Sequence, residues 1–427
     1  MINKNDKKVA FYTLGCKLNY AETSNIARIL NEGGYQKVNF QDNADFYVIN
    51  TCAVTGNAEK KCRNIIRQTI RRSPTAKIII MGCFSQLAHE EIKNIEGVSL
   101  VLGNSEKSDI IKYMQELDND TNSLVSCNDI LKIDEFYPSY SSGDRTRAFL
   151  KIQDGCDYYC SYCTVPLARG HSRSGRIEDI VNSAIEIGKK GIKEIVLTGV
   201  NIGDFGKNTG EKFIELLRKL EDVKAIERYR ISSIEPNLIT EEIINHTAIS
   251  RKFLPHFHIP LQSGTDKILK AMKRRYDTKF FSEKVSLIKK QISDCCIAVD
   301  VIAGFPGETE KDFEETYNFI NSLDISYVHV FTYSERANTL ATDFENKVSI
   351  SERHKRTKAL LELSEIKKKE FYLQHIGQSA KVLFESENEN GFIGGFSENY
   401  IRIKVPYTHE FVNKILELTI KEENLDL

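Results

Sequence analysis

No run of about 18 apolar residues, the length a helix needs to cross a bilayer, occurs among the 427 residues. No membrane span is therefore expected. Neither sign of charge dominates: 59 Lys and Arg face 60 Asp and Glu, a formal net charge of −1. That excludes a uniformly basic surface and leaves any RNA contact to local patches. Lys7-Lys8 ahead of the apolar stretch from Val9 faintly resembles a signal peptide or lipoprotein start. The stretch is too short for either, and residues 10–15 read as a buried strand and loop. A cytoplasmic location is expected. Ten cysteines in such a chain argue for metal or redox chemistry and against disulfides. Lacking among them is a second C-x2-C pair, the arrangement with which structural zinc sites usually close.

Six cysteines carry a pattern. Cys156-Asp157-Tyr158-Tyr159-Cys160-Ser161-Tyr162-Cys163 spaces three thiols as C-x3-C-x2-C. Three thiolates can hold three irons of a [4Fe–4S] cluster and leave the fourth iron open to a small molecule. Residues 149–153 read as a strand delivering the motif, Asp154-Gly155 as a turn, and Tyr162 as a shield against water. A zinc knuckle short of one ligand, or three incidental thiols, is the plainer alternative. Cys16, Cys52 and Cys83 are widely spaced, but each follows an apolar run and precedes a helical pattern. Strands that end together in a parallel sheet set their following loops on one edge. There the three could bind a second cluster or simply be buried at strand ends, and spacing does not choose. Cys62, Cys127, Cys295 and Cys296 read as packing residues.

The expected fold is α/β in three parts. Residues 1–112 alternate strands at 9–12, 45–49, 77–81 and 100–102 with helices at 20–32, 58–72 and 86–94, giving a parallel-sheet domain. Residues 113–146 are polar, contain Asp118-Asn119-Asp120 and Ser141-Ser142-Gly143-Asp144, and read as a linker with room for a hairpin. Residues 147–372 repeat the alternation, with strands at 148–152, 194–198, 228–232, 256–260, 297–302 and 327–332. Six such units make a partial (β/α)6 TIM-like barrel, whose site lies in the loops after the strands. Residues 373–427 turn to short strand patterns at 379–385, 391–396, 400–405 and 416–420. These read as a small OB-like β-barrel, either a nucleic-acid binder or a stabilising appendage.

The three-cysteine run, just after the first strand of the middle unit, resembles the hallmark of radical S-adenosylmethionine enzymes. The resemblance implies that the open iron binds the amino and carboxylate groups of S-adenosylmethionine. One electron then releases a 5′-deoxyadenosyl radical, while the protein orients and excludes water. Leu197-Thr198-Gly199-Val200-Asn201 resembles the segment lying along the methionine portion. Thr13-Leu14-Gly15-Cys16-Lys17-Leu18-Asn19, Asn50-Thr51-Cys52-Ala53-Val54-Thr55 and Met81-Gly82-Cys83 resemble the amino-terminal domain of methylthiotransferases. That implies an auxiliary [4Fe–4S] cluster on Cys16, Cys52 and Cys83. Arg230-Ile231-Ser232-Ser233-Ile234-Glu235-Pro236, His258-Ile259-Pro260-Leu261-Gln262-Ser263-Gly264 and Gly304-Phe305-Pro306-Gly307-Glu308-Thr309 also look like family segments. On this basis Thr198, Gly199, Ser232 and Gln262 are expected to bind the cofactor. The carboxy-terminal barrel resembles a TRAM domain, which implies substrate binding.

Branches of this family act on isopentenyladenosine or threonylcarbamoyladenosine at position 37 of tRNA, or on an aspartate of ribosomal protein S12. The Thr13 to Asn19 run, the Asn50 to Thr55 run with Ala58, Lys61 and Arg63, and Cys163-Thr164-Val165-Pro166-Leu167-Ala168-Arg169-Gly170 are similar to the threonylcarbamoyladenosine branch. Leu18, Leu167 and Tyr158-Tyr159 depart from it in detail. The expected activity is addition of a methylthio group to C2 of threonylcarbamoyladenosine 37. It would use two [4Fe–4S] clusters, S-adenosylmethionine, and flavodoxin or ferredoxin as electron donor. The other two branches, and more remotely a non-catalytic Fe–S RNA-binding protein, are the alternatives. An RNA substrate fits the basic residues. Arg63, Arg67 and Arg71 recur on one helical face beside Lys60 and Arg72, with no acid between Glu59 and Glu90, the pattern of a phosphate-contacting stripe. Arg169, His171, Arg173 and Arg176 are expected to steer the anticodon loop, and Lys273-Arg274-Arg275 form a further patch.

Overall fold

The structure, a computed structural model, describes residues 7–117, 124–143 and 145–426. Asp118-Asn119-Asp120 and Asp144 of the expected linker lie outside the described residues. Lys8–Thr13, Phe46–Thr51, Lys77–Gly82 and Val98–Leu102 are strands whose apolar runs show little alternation, as expected where both faces of a sheet are covered. With two short edge strands they pair in parallel in the order Gln36–Val38, Lys8–Thr13, Phe46–Thr51, Lys77–Gly82, Val98–Leu102, Leu124–Ser126. The helices Lys17–Glu32, Gly56–Arg72, Cys83–Lys93 and Ile110–Leu117 connect them. The strand order doubles back between Lys8–Thr13 and Phe46–Thr51. Such a switch point opens a crevice beyond the strand ends, and Cys16 and Cys52 follow the two strands that flank it.

The segment read as a linker with room for a hairpin contains an antiparallel pair and, beyond that reading, further structure. It holds the end of Ile110–Leu117, the edge strand Leu124–Ser126, and Ser139–Tyr140, which pairs antiparallel with Arg147–Lys151. Strands of two or three residues are too short for an alternation pattern to reveal.

In the middle unit the strands Arg147–Lys151, Glu194–Thr198, Arg228–Ile231, His256–Gln262, Cys296–Ala303 and Tyr327–Thr332 run parallel in chain order. Single bridges from Tyr229 to Phe253 and from Ser233 to His258 link the third to the fourth. Leu150, Leu197, Ile231, Ile259 and Val299 are buried in one apolar core, giving the partial barrel that the alternation predicts. Helix Ile350–Leu373 packs on its last strand, where Ser364 Oγ donates to the Val328 carbonyl at 2.9 Å.

Ser379–Glu389, Phe392–Phe396, Arg402–Pro406 and Ile415–Thr419 form an antiparallel four-stranded sheet over Val382, Phe384, Ile393 and Ile403. It docks on the barrel through buried arginines. Arg228 Nη2 donates to the Lys381 carbonyl at 2.5 Å, and Arg230 donates to the carbonyls of Glu398 and Ser397 at 3.1 and 3.3 Å. Among the described residues no helix is long and apolar enough to cross a membrane.

Candidate active site

Strand register brings the first three cysteines to one edge. Thr13 pairs with Asn50, Asn50 with Met81 and Thr51 with Gly82, so three strands end level and their loops leave together. Two asparagines stitch those loops. Asn19 Nδ2 donates to the carbonyls of Leu14 and Thr51 at 2.9 and 3.0 Å, and Asn50 Nδ2 donates to the Asn19 carbonyl and the Thr23 hydroxyl, both at 3.0 Å. Close approach depends on glycine. A Cβ on Gly15 (φ +105°) would lie 2.9 Å from Cys52 Cβ, and one on Gly82 (φ +105°) 2.4 Å from Asn50 Oδ1. Cys16 is exposed beside the crevice, whereas Cys52 and Cys83 are buried. Burial pushes the Cys52 thiol up to about 12, and Cys83 and Cys16 add to the rise. Without a metal to displace its proton, that thiol stays protonated.

The second group lies between the short strand Gln153–Asp154 and helix Val165–Arg169. The loop is pinned by its backbone: Cys156 N–H donates to the Gly170 carbonyl at 3.0 Å, Ser161 N–H to Met272 at 3.2 Å, and Cys163 N–H to Cys160 at 3.0 Å. Burial pushes the Cys163 thiol up to about 12, with Cys160 adding to the shift. Opposing that, Arg274 Nη1 donates to Cys160 Sγ at 3.1 Å while its other nitrogen holds Glu235. Among the described residues no three His, Cys, Asp or Glu side chains converge as the ligands of a single ion would. Ligands that each bind a different iron of one cluster must instead stand apart. In both groups the cysteines are near enough to act on one another electrostatically without converging. All-thiol donor sets are of the kind that holds an iron–sulfur cluster.

Between the two groups lies a buried ionic network. Glu22, in the helix that follows Cys16, accepts from Lys107 at 2.5 Å, Lys151 at 3.0 Å and Arg169 at 3.1 and 3.2 Å. Asp154, two residues before Cys156, accepts from Arg169 at 3.0 Å and pairs with Lys151 at 2.6 Å and Arg173 at 3.6 Å. Burial alone would raise the Glu22 carboxyl. Arg169, Lys107 and Lys151 outweigh it and hold the group well below the usual carboxylate range. Among the described residues, Glu22 and Asp154 are the two carboxylates that Lys107, Lys151, Arg169 and Arg173 pair with. The surplus positive charge sits beside Cys83 and Cys16, where thiolates would balance it.

Two adjoining cavities open at the barrel mouth and share Asp300 and Phe331 as walls. The smaller, about 210 Å³, reaches Cys163, Tyr162 and Gln262, and also Val54 and Thr55 just beyond Cys52. The larger, about 500 Å³, reaches Cys16, Thr198, Gly199, Ser232 and Tyr400 of the carboxy-terminal sheet. The four expected cofactor residues therefore line this joint space. Tyr162 stands edge-on to Phe305 at 6.3 Å. Gln262 has φ +68° at a register slip after Pro260, a strained conformation of the kind that clusters at binding sites. Gln153 ties the two loops: its Oε1 accepts from the Val200 and Asn201 N–H groups at 2.9 Å, and its Nε2 donates to the Asp154 and Gly155 carbonyls at 2.9 and 2.8 Å.

The basic residues divide. Lys60, Lys61, Arg67 and Arg71 are exposed on helix Gly56–Arg72. Arg63 is half-buried and held by both oxygens of Glu91, at 2.6 and 2.9 Å, so it is not a free member of the stripe. Arg169 and Arg173, expected to contact RNA, are only 2% and 4% exposed. Their guanidiniums are occupied by Glu22, Asp154 and the carbonyls of Glu135, Arg169 and His171. That expectation is corrected: both arginines are internal. Arg274 likewise serves Cys160 and Glu235, and Arg275 lies over the Tyr158 ring at 3.9 Å. Glu22, Lys107, Lys151 and Gln153 were invisible as site residues, because only the folded chain shows what they face.

Residues 8–103 match the uncharacterized protein family UPF0004, and residues 150–320 match the radical SAM superfamily. The chain is 38% identical over 423 residues to the threonylcarbamoyladenosine tRNA methylthiotransferase MtaB of Bacillus subtilis, covering 96% of this chain and 93% of that one. It is 37% identical to MtaB of Aquifex aeolicus, covering 93% and 96%. Identity to the tRNA-2-methylthio-N(6)-dimethylallyladenosine synthase of Endomicrobium trichonymphae is 29%, covering 97% of each. Among solved structures, the radical S-adenosylmethionine methyltransferase TsrM from Kitasatospora setae superposes with a TM-score of 0.58 at 13% identity, covering 76% of this chain and 73% of that one. That likeness bears on the fold alone. Radical SAM chemistry brings with it S-adenosylmethionine and a [4Fe–4S] cluster, and the C-x3-C-x2-C loop at the barrel mouth suits them. By the near full-length match, the chain belongs to the radical SAM methylthiotransferase family and is an enzyme that transfers a sulfur-containing group.

Proposed function

We propose that the enzyme adds a methylthio group to C2 of N6-threonylcarbamoyladenosine 37 in tRNA. In this reading Cys156, Cys160 and Cys163 hold one [4Fe–4S] cluster, and Cys16, Cys52 and Cys83 hold a second. The observation that carries it is that one cysteine of each group, Cys163 and Cys16, lines one of two adjoining cavities with common walls in Asp300 and Phe331. One base placed there is within reach of both. The names of the Bacillus subtilis and Aquifex aeolicus relatives support the choice of base. When bound, the clusters and S-adenosylmethionine supply a radical able to take hydrogen from the unactivated C2, and the sulfur and methyl group that replace it.

The chain's own residues prepare that chemistry. Arg274 steadies Cys160 and offsets the buried Glu235. Gln153 sets the Thr198–Gly199 loop against the cysteine loop. Tyr162 and Phe305 wall the Cys163 side from water. Arg169 partly offsets the burial that raises the Cys16 thiol. An anticodon-loop adenosine can be splayed out to enter at modest cost. In this reading exposed Lys60, Lys61, Arg67 and Arg71 offer phosphate contacts, and the TRAM-like unit 373–427 holds RNA beside the barrel 147–372. Residues 1–112 carry the sulfur site, and 113–146 connect it to the barrel. Flavodoxin or ferredoxin supplies the electron. Nucleoside mass spectrometry of tRNA from a strain lacking this chain tests the reading. Threonylcarbamoyladenosine without its methylthio derivative is expected; persistence of that derivative, with no paralogue to make it, overturns the proposal.

A further inference from the structure

In the larger cavity every cation but one is matched. Arg230 is buried against Glu194 at 3.1 Å, Arg147 pairs with Glu385 at 3.1 Å, and His258 with Asp300 at 2.7 Å. Burial keeps His256 and His329 neutral. Lys17 lines the same cavity, is exposed to it, and has no hydrogen-bond or ion-pair partner among the described residues. Its position is also unfavourable to it. Lys17 is the first residue of helix Lys17–Glu32, with no acid in the first turn. There the helix dipole and the unpaired N–H groups repel a cation and attract an anion. A second observation points the same way: Ser232 Oγ, on the same cavity and expected from the resemblance to face the cofactor, is buried and lacks any hydrogen-bond partner among the described residues, so it is open to an anion there. A lysine, open helix amides and an unpaired hydroxyl together describe a receptor for a small anion.

The geometry points to Lys17 as the residue that reads the carboxylate of the N6-threonylcarbamoyl group. This rests on the proposed function. N6 and C2 lie on the same edge of adenine, on either side of N1. A base that turns C2 toward Cys16 therefore carries its N6 substituent past the same loop, where Lys17 is the next residue. A dimethylallyl substituent offers no charge and leaves the lysine unmatched, so the contact also discriminates between the two modified adenosines.

The test uses reconstituted holoenzyme, wild type, Lys17→Gln and Lys17→Arg. Each is titrated with one tRNA in three forms: threonylcarbamoyladenosine at position 37, its uncharged methyl ester, and unmodified adenosine. The wild type is expected to bind the acid more tightly than the ester by about tenfold or more, the scale of one charge-assisted hydrogen bond. Lys17→Gln should bind acid and ester alike, and Lys17→Arg should restore part of the ratio. Each ratio is internal to one protein, so a partly misfolded fraction cancels. An acid-to-ester ratio unchanged in Lys17→Gln overturns the inference while leaving the function standing. So does a loss of S-adenosylmethionine affinity, measured without RNA, equal to the loss for the acid tRNA; Lys17 would then serve the cofactor. A wild type that treats all three RNAs alike removes the proposed function, and this inference with it.

Discussion

Arg169 and Glu22 stand 147 residues apart in the chain and meet through hydrogen bonds of 3.1 and 3.2 Å, both side chains shielded from solvent. The contact joins the helix after Cys16 to the helix after Cys163. It therefore fixes the distance between the two cysteine groups, a distance that no local motif controls.

Glu22→Gln leaves Lys107, Lys151 and Arg169 without their shared counter-charge. Breaking a buried ion pair in this way costs about 3–5 kcal/mol, measurable as a lower denaturant midpoint at unchanged slope. The sign with pH follows from the depressed carboxyl of Glu22. Its stabilisation is complete above its unfolded value of about 4.3 and is lost as pH falls from there toward the folded value. Below about pH 4.3 the wild type should lose Tm faster than Glu22→Gln; parallel curves would show that the carboxylate is not held as described.

Arg274→Met removes the donor to Cys160 Sγ and strands Glu235 in a site whose burial already raises its carboxyl. Iron bound at the barrel loop should fall, with a stability loss of about 3–5 kcal/mol. Arg274→Lys should recover the charge but not the two-pronged contact, giving intermediate iron content. Full iron loading in Arg274→Met contradicts the assigned role.

Reconstituted enzyme should hold about eight irons, and the Cys16→Ala, Cys52→Ala, Cys83→Ala variant about four. That variant should still cleave S-adenosylmethionine when given a reductant, yet transfer no methylthio group. Loss of all iron from it would contradict two separately assembled sites.

Replacing Lys60, Lys61, Arg67 and Arg71 by alanine should weaken tRNA binding and lower the slope of log K against log salt by about one for each phosphate contact removed. The effect should be the same for tRNAs with and without the modified base. An unchanged salt slope means that the face is bare surface.

Much of this architecture was readable from residue patterns. The six barrel strands show in their alternation with helical patterns, although Arg228–Ile231 and Tyr327–Thr332 carry polar residues, and each of Cys16, Cys52 and Cys83 stands just past an apolar run. The edge strands Gln36–Val38 and Leu124–Ser126 were not readable, because three residues carry no period. Arg169 and Arg173 were misread for a different reason. A sequence displays their charge, but Glu22 and Asp154, which neutralise it inside the protein, are recognisable as partners only once two domains are packed. Arg63 was hidden in the same way by Glu91, and Lys17 became conspicuous only when its cavity showed every other cation paired.

The most direct measurement offers purified, reconstituted enzyme two tRNAs in one reaction, one with threonylcarbamoyladenosine and one with isopentenyladenosine at position 37, together with S-adenosylmethionine and a reductant. Nucleoside mass spectrometry should find the methylthio group on the threonylcarbamoyl RNA alone, with deuterium placed at C2 recovered in 5′-deoxyadenosine. Methylthiolation of the isopentenyl RNA instead, or of neither, would contradict the account.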